Sequence, residues 1–304
     1  MSGPGVDELL GRCTFPAPGT AVVCAVSGGP DSLALLVLAC AAGMAVTAVH
    51  VDHGLRAGSD AEAEVVADAA RRFGAAFRGE TAVVEDGPNL EARARAARRA
   101  AVGPGAATGH TMDDQAETVL LNLLRGAGLD GLAGMRAGPR HPILGLRRTE
   151  TRALCDALGL DPVRDRSNSD PRFRRNRVRH ELLPLCCAVA GRDVVPVLAR
   201  QAGLLAAEAD LLDELAASVD PSDGAALAAA PGPLARRATR RWLRRDGPHP
   251  PDAAAVERVL GVARGEFRAT DVVPGRRVRR SHGRLSLSPA APPEASGHEA
   301  PVDH

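Results

Sequence analysis

The chain has 304 residues, 45% of them hydrophobic and 25% charged, with a formal net charge of +1. That balance is globular and fits a large domain with a smaller companion; it excludes disorder of the whole chain and any global electrostatic pull toward nucleic acid. All 38 basic residues are arginine, so neither a Walker-type P-loop lysine nor a Schiff-base lysine is available.

In chain order, residues 21–26, AVVCAV, form a short apolar run bounded by turn residues, as in a buried parallel strand. SGGPDS follows, and LALLVLACAAG predicts a helix ending at Gly43. AVTAVHVDHG reads as a second strand. Ser59 with Glu62 makes a capping box for a helix running to about Phe73, and Asn89 caps another. GAATG at 105–109 ends a third strand, and HTMDDQAETVLLNLLRG is a helix stopped by Gly126. This alternation predicts an α/β fold with a doubly wound, mostly parallel sheet.

After about residue 145 the texture changes. TRALCDALGL is a short helix, and DRSNSDPRFRRNRVRHELLP is arginine-rich with no clean period. Residues 194–217 repeat apolar positions at helical spacing, Pro231 and Pro233 break a further helical pair, and Asp252 caps a helix through Ala263. FRATDVVPGRRVRRSHGRLSLSP predicts a small β hairpin or meander. The expected division is a catalytic domain over 1–190, a smaller, mainly helical domain ending in a short hairpin over 191–288, and a disordered tail over 289–304.

No apolar run approaches the ~20 residues needed to cross a membrane. MSGPGVDELLGRC lacks the charged-then-apolar order of a signal peptide. Cys13, Cys24, Cys40, Cys155, Cys186 and Cys187 form no CxxC pair. The expectation is a cytoplasmic protein with reduced thiols and no cysteine-bound metal.

Three clusters carry chemistry. Ser27-Gly28-Gly29-Pro30-Asp31-Ser32 lies between a strand and a helix, where unpaired amides and the helix dipole favour an anion and glycine lets it approach the backbone. A bare phosphate would repel Asp31, so its presence predicts a metal ion between them. His50, Asp52 and His53 end the second strand, beside that loop in a doubly wound sheet. In the third cluster His110, Asp114 and Glu117 have i, i+4, i+7 spacing and share one face if all three are helical, with Asp113 in the first turn. An imidazole beside carboxylates suits the binding and deprotonation of a cationic amine.

SGGPDS resembles the pyrophosphate loop, SGGxDS, of the PP-loop ATP pyrophosphatases. HVDHGLR, NLEARARAAR, GHTMDDQAETVLLNLLRGAGLDGLAGM and DRSNSDPRFRRNRVRHELLP, in that order, are similar to the tRNA(Ile)-lysidine synthases over roughly residues 20–185. The resemblance implies an adenine nucleotide alpha hydrolase-like fold. It also implies ATP-dependent ligation of L-lysine to C2 of the wobble cytidine of the CAU-anticodon isoleucine tRNA. The tRNA is adenylated first, AMP and pyrophosphate are released, and the codon read shifts from AUG to AUA. Residue by residue it implies ATP phosphates on Ser27 through Ser32, Mg²⁺ on Asp31, and adenosine near Ala25, Val26, His50, Asp52 and His53. Lysine handling and catalysis fall to His110, Asp113, Asp114 and Glu117. Arg98, with Arg95 as the alternative, matches a functional arginine, and Arg175, Arg177 and Arg179 match a basic motif. Where the family often has arginine before Pro-Leu-Leu, this chain has His141-Pro142-Ile143-Leu144, with Arg140 one place earlier.

Arginine clusters at 172–179, 236–245 and 276–284 predict tRNA phosphate contacts, with Arg240, Arg241 and Arg244 on a basic helix face and Trp242 packed inward. No protein partner is implied beyond a second copy of the chain. Rival readings are a PP-loop tRNA thiolase, which needs CxxC cysteines, a small-molecule adenylating synthetase, which needs no arginine clusters, and a non-catalytic tRNA binder.

Overall fold

The computed structural model describes residues 5–52, 59–81, 93, 97, 100–163, 170–244, 251–273 and 275–289. His53, Asn89, Arg95, Arg98, Arg245 and the segment 164–169 lie outside them, as does the tail from residue 290. Two compact units, Met1–Ala206 and Ala207–His304, divide the chain.

In the first unit the elements run α1 (Val6–Leu10), β1 (Ala21–Ala25), α2 (Pro30–Ala41), β2 (Ala45–Asp52), α3 (Ser59–Arg72), β3 (Ala76–Thr81), β4 (Ala107–Thr108), α4 (Met112–Leu124), α5 (Leu129–Leu132), α6 (Arg148–Ala157), α7 (Arg174–Arg177), a π-helical turn Val178–Leu182 and α8 (Leu183–Ala190). α9 (Val195–Ala216) contains the division. The strands form a parallel sheet in the order β3-β2-β1-β4, with Val22 opposite Val46 and Cys24 opposite Ala107. α2 is apolar on nearly every side because it is core: Leu33, Leu35, Leu36 and Leu38 are fully buried among Val22, Val46, Ile143, Leu146 and Leu154.

The expectation for 21–52 matches the strands and helix observed. β3 is not anticipated by the sequence pattern: AFRGET is an edge strand, exposed along most of its length, so it has no apolar run to find. α4 begins at Met112, with Thr111 as its N-cap. Only Asp114 and Glu117 of the supposed i, i+4, i+7 face are therefore helical, and His110 precedes the helix. The arginine-rich segment lacks a clean period because the π turn inserts an extra residue per turn and shifts the apolar phase between α7 and α8.

The second unit holds α10 (Gly224–Ala229), α11 (Gly232–Arg244), α12 (Ala253–Arg264) and the strands β5 (Ala269–Val273), β6 (Arg276–Ser281) and β7 (Arg284–Pro289). Asp223 and Asp252 cap α10 and α12, accepting from the amides of Ala225 and Ala226 and of Ala255. The expected hairpin is a three-stranded antiparallel sheet in the order β5-β6-β7. Val272, Val278 and Leu285 pack with Val256, Val259 and Leu260 of α12, and Trp242 packs against the same core. Pro289, expected in the tail, closes β7. Among the described residues no single helix is long and apolar enough to cross a membrane.

Candidate active site

The loop after β1 is built for close approach. Gly28 has φ +81°, and a Cβ there would lie 2.8 Å from Cγ2 of Val163, whose amide donates to the Gly28 carbonyl at 3.0 Å. Gly29 is the N-cap of α2 and Pro30 opens the helix. The Ser32 hydroxyl donates to the Gly29 carbonyl at 2.8 Å and accepts from the Ser27 amide at 3.2 Å, so one side chain closes the turn. Among the described residues no acceptor meets the amides of Gly28, Gly29 or Asp31. They and the helix N-terminus are available to an anion. Ala25 ends β1 and Val26 follows it, its carbonyl 3.0 Å from Nδ1 of the buried His50. Asp52 ends β2.

Asp31 does not face the loop alone. Thr151 donates its hydroxyl to Oδ1, and Nε of Arg148 lies 3.4 Å from Oδ2. Burial pushes this carboxyl above the usual carboxylate range, against the pull of Thr151 and Arg148. Gly109 lies over the same turn: a Cβ there would come within 2.6 Å of the Asp31 carbonyl oxygen.

Arg148 continues from Asp31 into the third cluster. Its Nη2 donates to Oδ1 of Asp114 and its Nη1 to Oε1 of Glu117, each at 3.0 Å. Arg175 approaches the same two carboxylates, with Nη2 at 3.1 Å from Oδ1 of Asp114 and Nε at 2.9 Å from Oε2 of Glu117. Arg179 stands 4.0 Å from Glu117. Burial opposes ionisation of Asp114, but Arg148, Arg175 and the Thr111 amide outweigh it and hold the carboxyl below its ordinary range. Burial and the neighbouring Arg148 lower the basicity of Arg179. Three carboxylates and three guanidiniums thus interlock beside the phosphate loop.

Neighbours in sequence part company here. Asp113 turns away from Asp114: it accepts from Nε of Arg147 at 3.0 Å and from the Arg148 amide at 2.9 Å, capping α6 from outside. That geometry holds the Arg147-Arg148 turn and leaves Asp113 no approach shared with Asp114. Arg177 likewise turns outward and pairs with Glu181 on an exposed face, whereas Arg175 and Arg179 face the cluster. His110 contacts Thr108 Oγ1 through Nδ1 at 2.7 Å, and its ring meets that of His141 edge-on with centroids 5.0 Å apart.

Sequence reasoning missed Arg148, Thr151, Thr108 and His141. One signal was present: arginines at a helix N-terminus oppose the helix dipole, so RRTE opening a helix implies carboxylates nearby. Thr108 and His141 left none, because their meeting depends on β4 pairing with the 138–141 turn.

In the second unit α11 carries the basic face. Arg237 faces inward, buried against Asp213 at 2.6 Å, so it leaves the expected surface set; Arg241 and Arg244 are exposed and Arg240 is half-buried. Nη1 of Arg241 donates to the Asp213 carbonyl at 3.1 Å. Among the described residues no group of three or more His, Cys, Asp or Glu could hold a metal ion.

A profile for the PP-loop domain matches residues 6–186, and one for the TilS substrate binding domain matches residues 223–286. A tRNA(Ile)-lysidine synthase of Nocardia farcinica is 42% identical over 297 residues, covering 90% of this chain and 93% of that protein. The tRNA(Ile)-lysidine synthase of Mycolicibacterium paratuberculosis is 46% identical over 235 residues, covering 72% and 73%. Among solved structures, the U34-tRNA thiolase NcsA of Methanococcus maripaludis with its [4Fe-4S] cluster superposes with a TM-score of 0.50 at 16% identity, covering 66% of this chain and 77% of that one. The last likeness concerns the fold alone.

Proposed function

This chain belongs to the tRNA(Ile)-lysidine synthase family, and we infer that it forms lysidine on the isoleucine tRNA through the residues gathered around Arg148. It is a ligase that uses ATP and takes tRNA as substrate. The observation that carries the finer reading is the bridge of Arg148 from Asp31 of the phosphate loop to Asp114 and Glu117. One guanidinium ties an anion cradle to a pair of carboxylates suited to an ammonium.

The C2 oxygen of cytosine is a poor leaving group, so the first step moves AMP onto it. O2 of the wobble cytidine attacks the α-phosphorus of ATP, the bond to the β-phosphate breaks and pyrophosphate departs. In the second step the ε-amine of L-lysine attacks C2 and the C2–O bond breaks, releasing AMP. The amides of Gly28, Gly29 and Asp31 and the Ser27 hydroxyl offset charge on the phosphates. Ala25, Val26, His50 and Asp52 are assigned to the adenosine in this reading, as is His53, the next residue in the chain.

Mg²⁺ fits the loop in the way that ion is usually held, by one carboxylate with phosphate oxygens and water. Asp31 supplies the carboxylate, and the ion would neutralise phosphate charge. Asp114 and Glu117 receive the lysine ammonium, which requires a guanidinium to give way, since both carboxylates are already paired. Arg175 is the more exposed of the two arginines that hold them. His110 takes the proton the ammonium must lose before attack. Arg98 and Arg179 are assigned to the tRNA or its adenylated base. Asp113 supports this set by capping α6.

The domain assignment that accompanies this reading is a catalytic domain to about residue 190 and a tRNA-binding domain from 191 to 288. Arg240, Arg241 and Arg244 are assigned to tRNA phosphates, and so is Arg177, which lies on an exposed face of the first unit. ATP, free lysine and tRNA are all cytoplasmic, which supports that location. The test is incubation with ATP, labelled lysine and the CAU isoleucine tRNA. Lysine-dependent AMP release with label in RNA is expected, and ATP turnover indifferent to both lysine and tRNA overturns the reading. The thiolase alternative needs CxxC cysteines, and the six here are free with no CxxC pair among them.

A further inference from the structure

We propose that His141 is a positioning residue which, through the hydroxyl of Thr108, holds His110 as its Nδ1–H tautomer and presents Nε2 of His110 as a base. The proposal rests on the role given above to His110.

Thr108 ends β4, and its amide donates to the Arg140 carbonyl at 2.9 Å, drawing the 138–141 turn against the strand. Its Oγ1 then has three polar neighbours. The Arg140 carbonyl lies at 3.1 Å, Nδ1 of His110 at 2.7 Å and Nδ1 of His141 at 2.8 Å. A threonine hydroxyl has one proton to give and two lone pairs to receive with. A carbonyl oxygen only accepts. One assignment satisfies all three contacts: Thr108 donates to Arg140, and each imidazole donates its Nδ1–H to Thr108. The 3.3 Å separation of the two Nδ1 atoms is compatible with two donors converging on one oxygen.

With Nδ1 protonated, a neutral imidazole keeps its lone pair on Nε2. For His110 that is the nitrogen on the far side of the ring from Thr108. His110 stands one residue before Thr111, the N-cap of the helix that carries Asp114, and its charge favours the ionised Asp114 carboxyl. His141 is suited to remain the neutral partner, since burial and the charge of Arg140 both disfavour its protonation. The second ring disfavours the flipped arrangement: with His141 donating and the Thr108 proton given to Arg140, a His110 ring offering a bare Nδ1 lone pair would give up its 2.7 Å contact with Thr108 and keep only the longer 3.3 Å approach of His141.

Long-range proton–nitrogen correlation spectra of the full-length protein, labelled with 15N-histidine, read the tautomer directly. Wild type is expected to show neutral His110 protonated on Nδ1. Thr108→Val and His141→Phe are expected to lose the single-tautomer signature. Both should lower kcat for lysine transfer roughly 10- to 100-fold, up to the low end of what general-base catalysis contributes, with KM for lysine little changed. His141→Gln, which keeps an N–H donor, should recover most of the loss. Neutral wild-type His110 protonated on Nε2 overturns the proposal even if the variants fail to fold, as does wild-type kcat in both Thr108→Val and His141→Phe. Absence of lysine transfer by the wild type would instead overturn the lysidine reading and leave the tautomer result standing.

Discussion

Nη1 of Arg148 donates to Oε1 of Glu117 at 3.0 Å, and that carboxylate side chain is 1% exposed. So deeply buried a charge persists only because it is paired, and the same guanidinium also holds Asp114 and reaches Asp31. Arg148→Met therefore removes the common partner of three carboxylates. Breaking a buried pair from one side costs about 3–5 kcal/mol, and a loss of that order is expected by denaturant unfolding, together with loss of lysine transfer. Arg148→Lys retains the charge but not the fork that spans two carboxylates, so it should fall between. Wild-type stability in Arg148→Met would refute the bridging role.

Asp113 and Asp114 are adjacent, yet they serve different partners. Asp113 caps α6 through the Arg148 amide, whereas Asp114 faces Arg148 and Arg175 within the cluster. Asp113→Ala is expected to cost about 1 kcal/mol, as for a lost cap, with lysine transfer lowered only modestly. Asp114→Ala should abolish transfer while tRNA binding survives. Paired transfer assays and filter binding on the two variants make the comparison, and equal damage from both would contradict the division.

Much of this was legible in the sequence because it is local. SGGPDS after an apolar strand specifies the turn by its own glycines, and DDQAET specifies a helix with carboxylates in its first turns. The hidden parts depend on distant pairings. Arg148 reaches Glu117 across 31 positions and Asp31 across 117, and nothing within RRTE names either partner. β3 escapes because an exposed edge strand needs no apolar face. The i, i+4, i+7 spacing puts His110 on the helix because spacing alone does not reveal that Thr111 is the cap.

The phosphate loop can be tested by adding single methyl groups. Gly28→Ala forces a side chain into a positive-φ position and onto Val163, and Gly109→Ala presses on the Asp31 carbonyl. Strain of about 1–3 kcal/mol is expected for Gly28→Ala, with ATP turnover falling further than stability because the amides move. For Gly109→Ala the expected result is a higher KM for ATP at near-normal tRNA affinity. ATP kinetics unchanged in both would place the nucleotide elsewhere.

Arg240, Arg241 and Arg244 lie on α11, whose Arg237 is occupied by Asp213. Replacing the first three with alanine should weaken tRNA binding and reduce the slope of log affinity against log salt by up to about 0.9 for each phosphate that the variant no longer neutralises. Arg237→Ala should instead destabilise the second unit, since it removes a buried side chain together with its ion pair to the more exposed Asp213. A triple variant with the wild-type salt slope would exclude this helix as the phosphate-binding surface.

Two carboxyls in the site are shifted in opposite directions, so stability should respond oppositely to their neutralisation. Burial raises the folded-state pKa of Asp31 above its unfolded value. Its favourable neutral form is fully present below the unfolded pKa, and that contribution is lost as pH rises through the folded pKa. Above that window the ionised Asp31 is a liability, and Asp31→Asn should unfold at a higher temperature than wild type at pH 7 while losing ATP turnover. Arg148 and Arg175 overcome burial at Asp114 and depress its folded-state pKa. Its stabilising contribution is present above the unfolded pKa and is lost as pH falls through the folded value. Asp114→Asn should therefore unfold at a lower temperature than wild type at pH 7. The Asp31 difference should shrink as the pH falls from its raised folded-state value to about 4, the ordinary aspartate range, and the Asp114 difference as the pH falls further below about 4. Thermal unfolding of the three proteins between pH 3 and pH 8 gives the comparison, and shifts of the same sign at neutral pH would show that the two carboxylates do not occupy the distinct environments described.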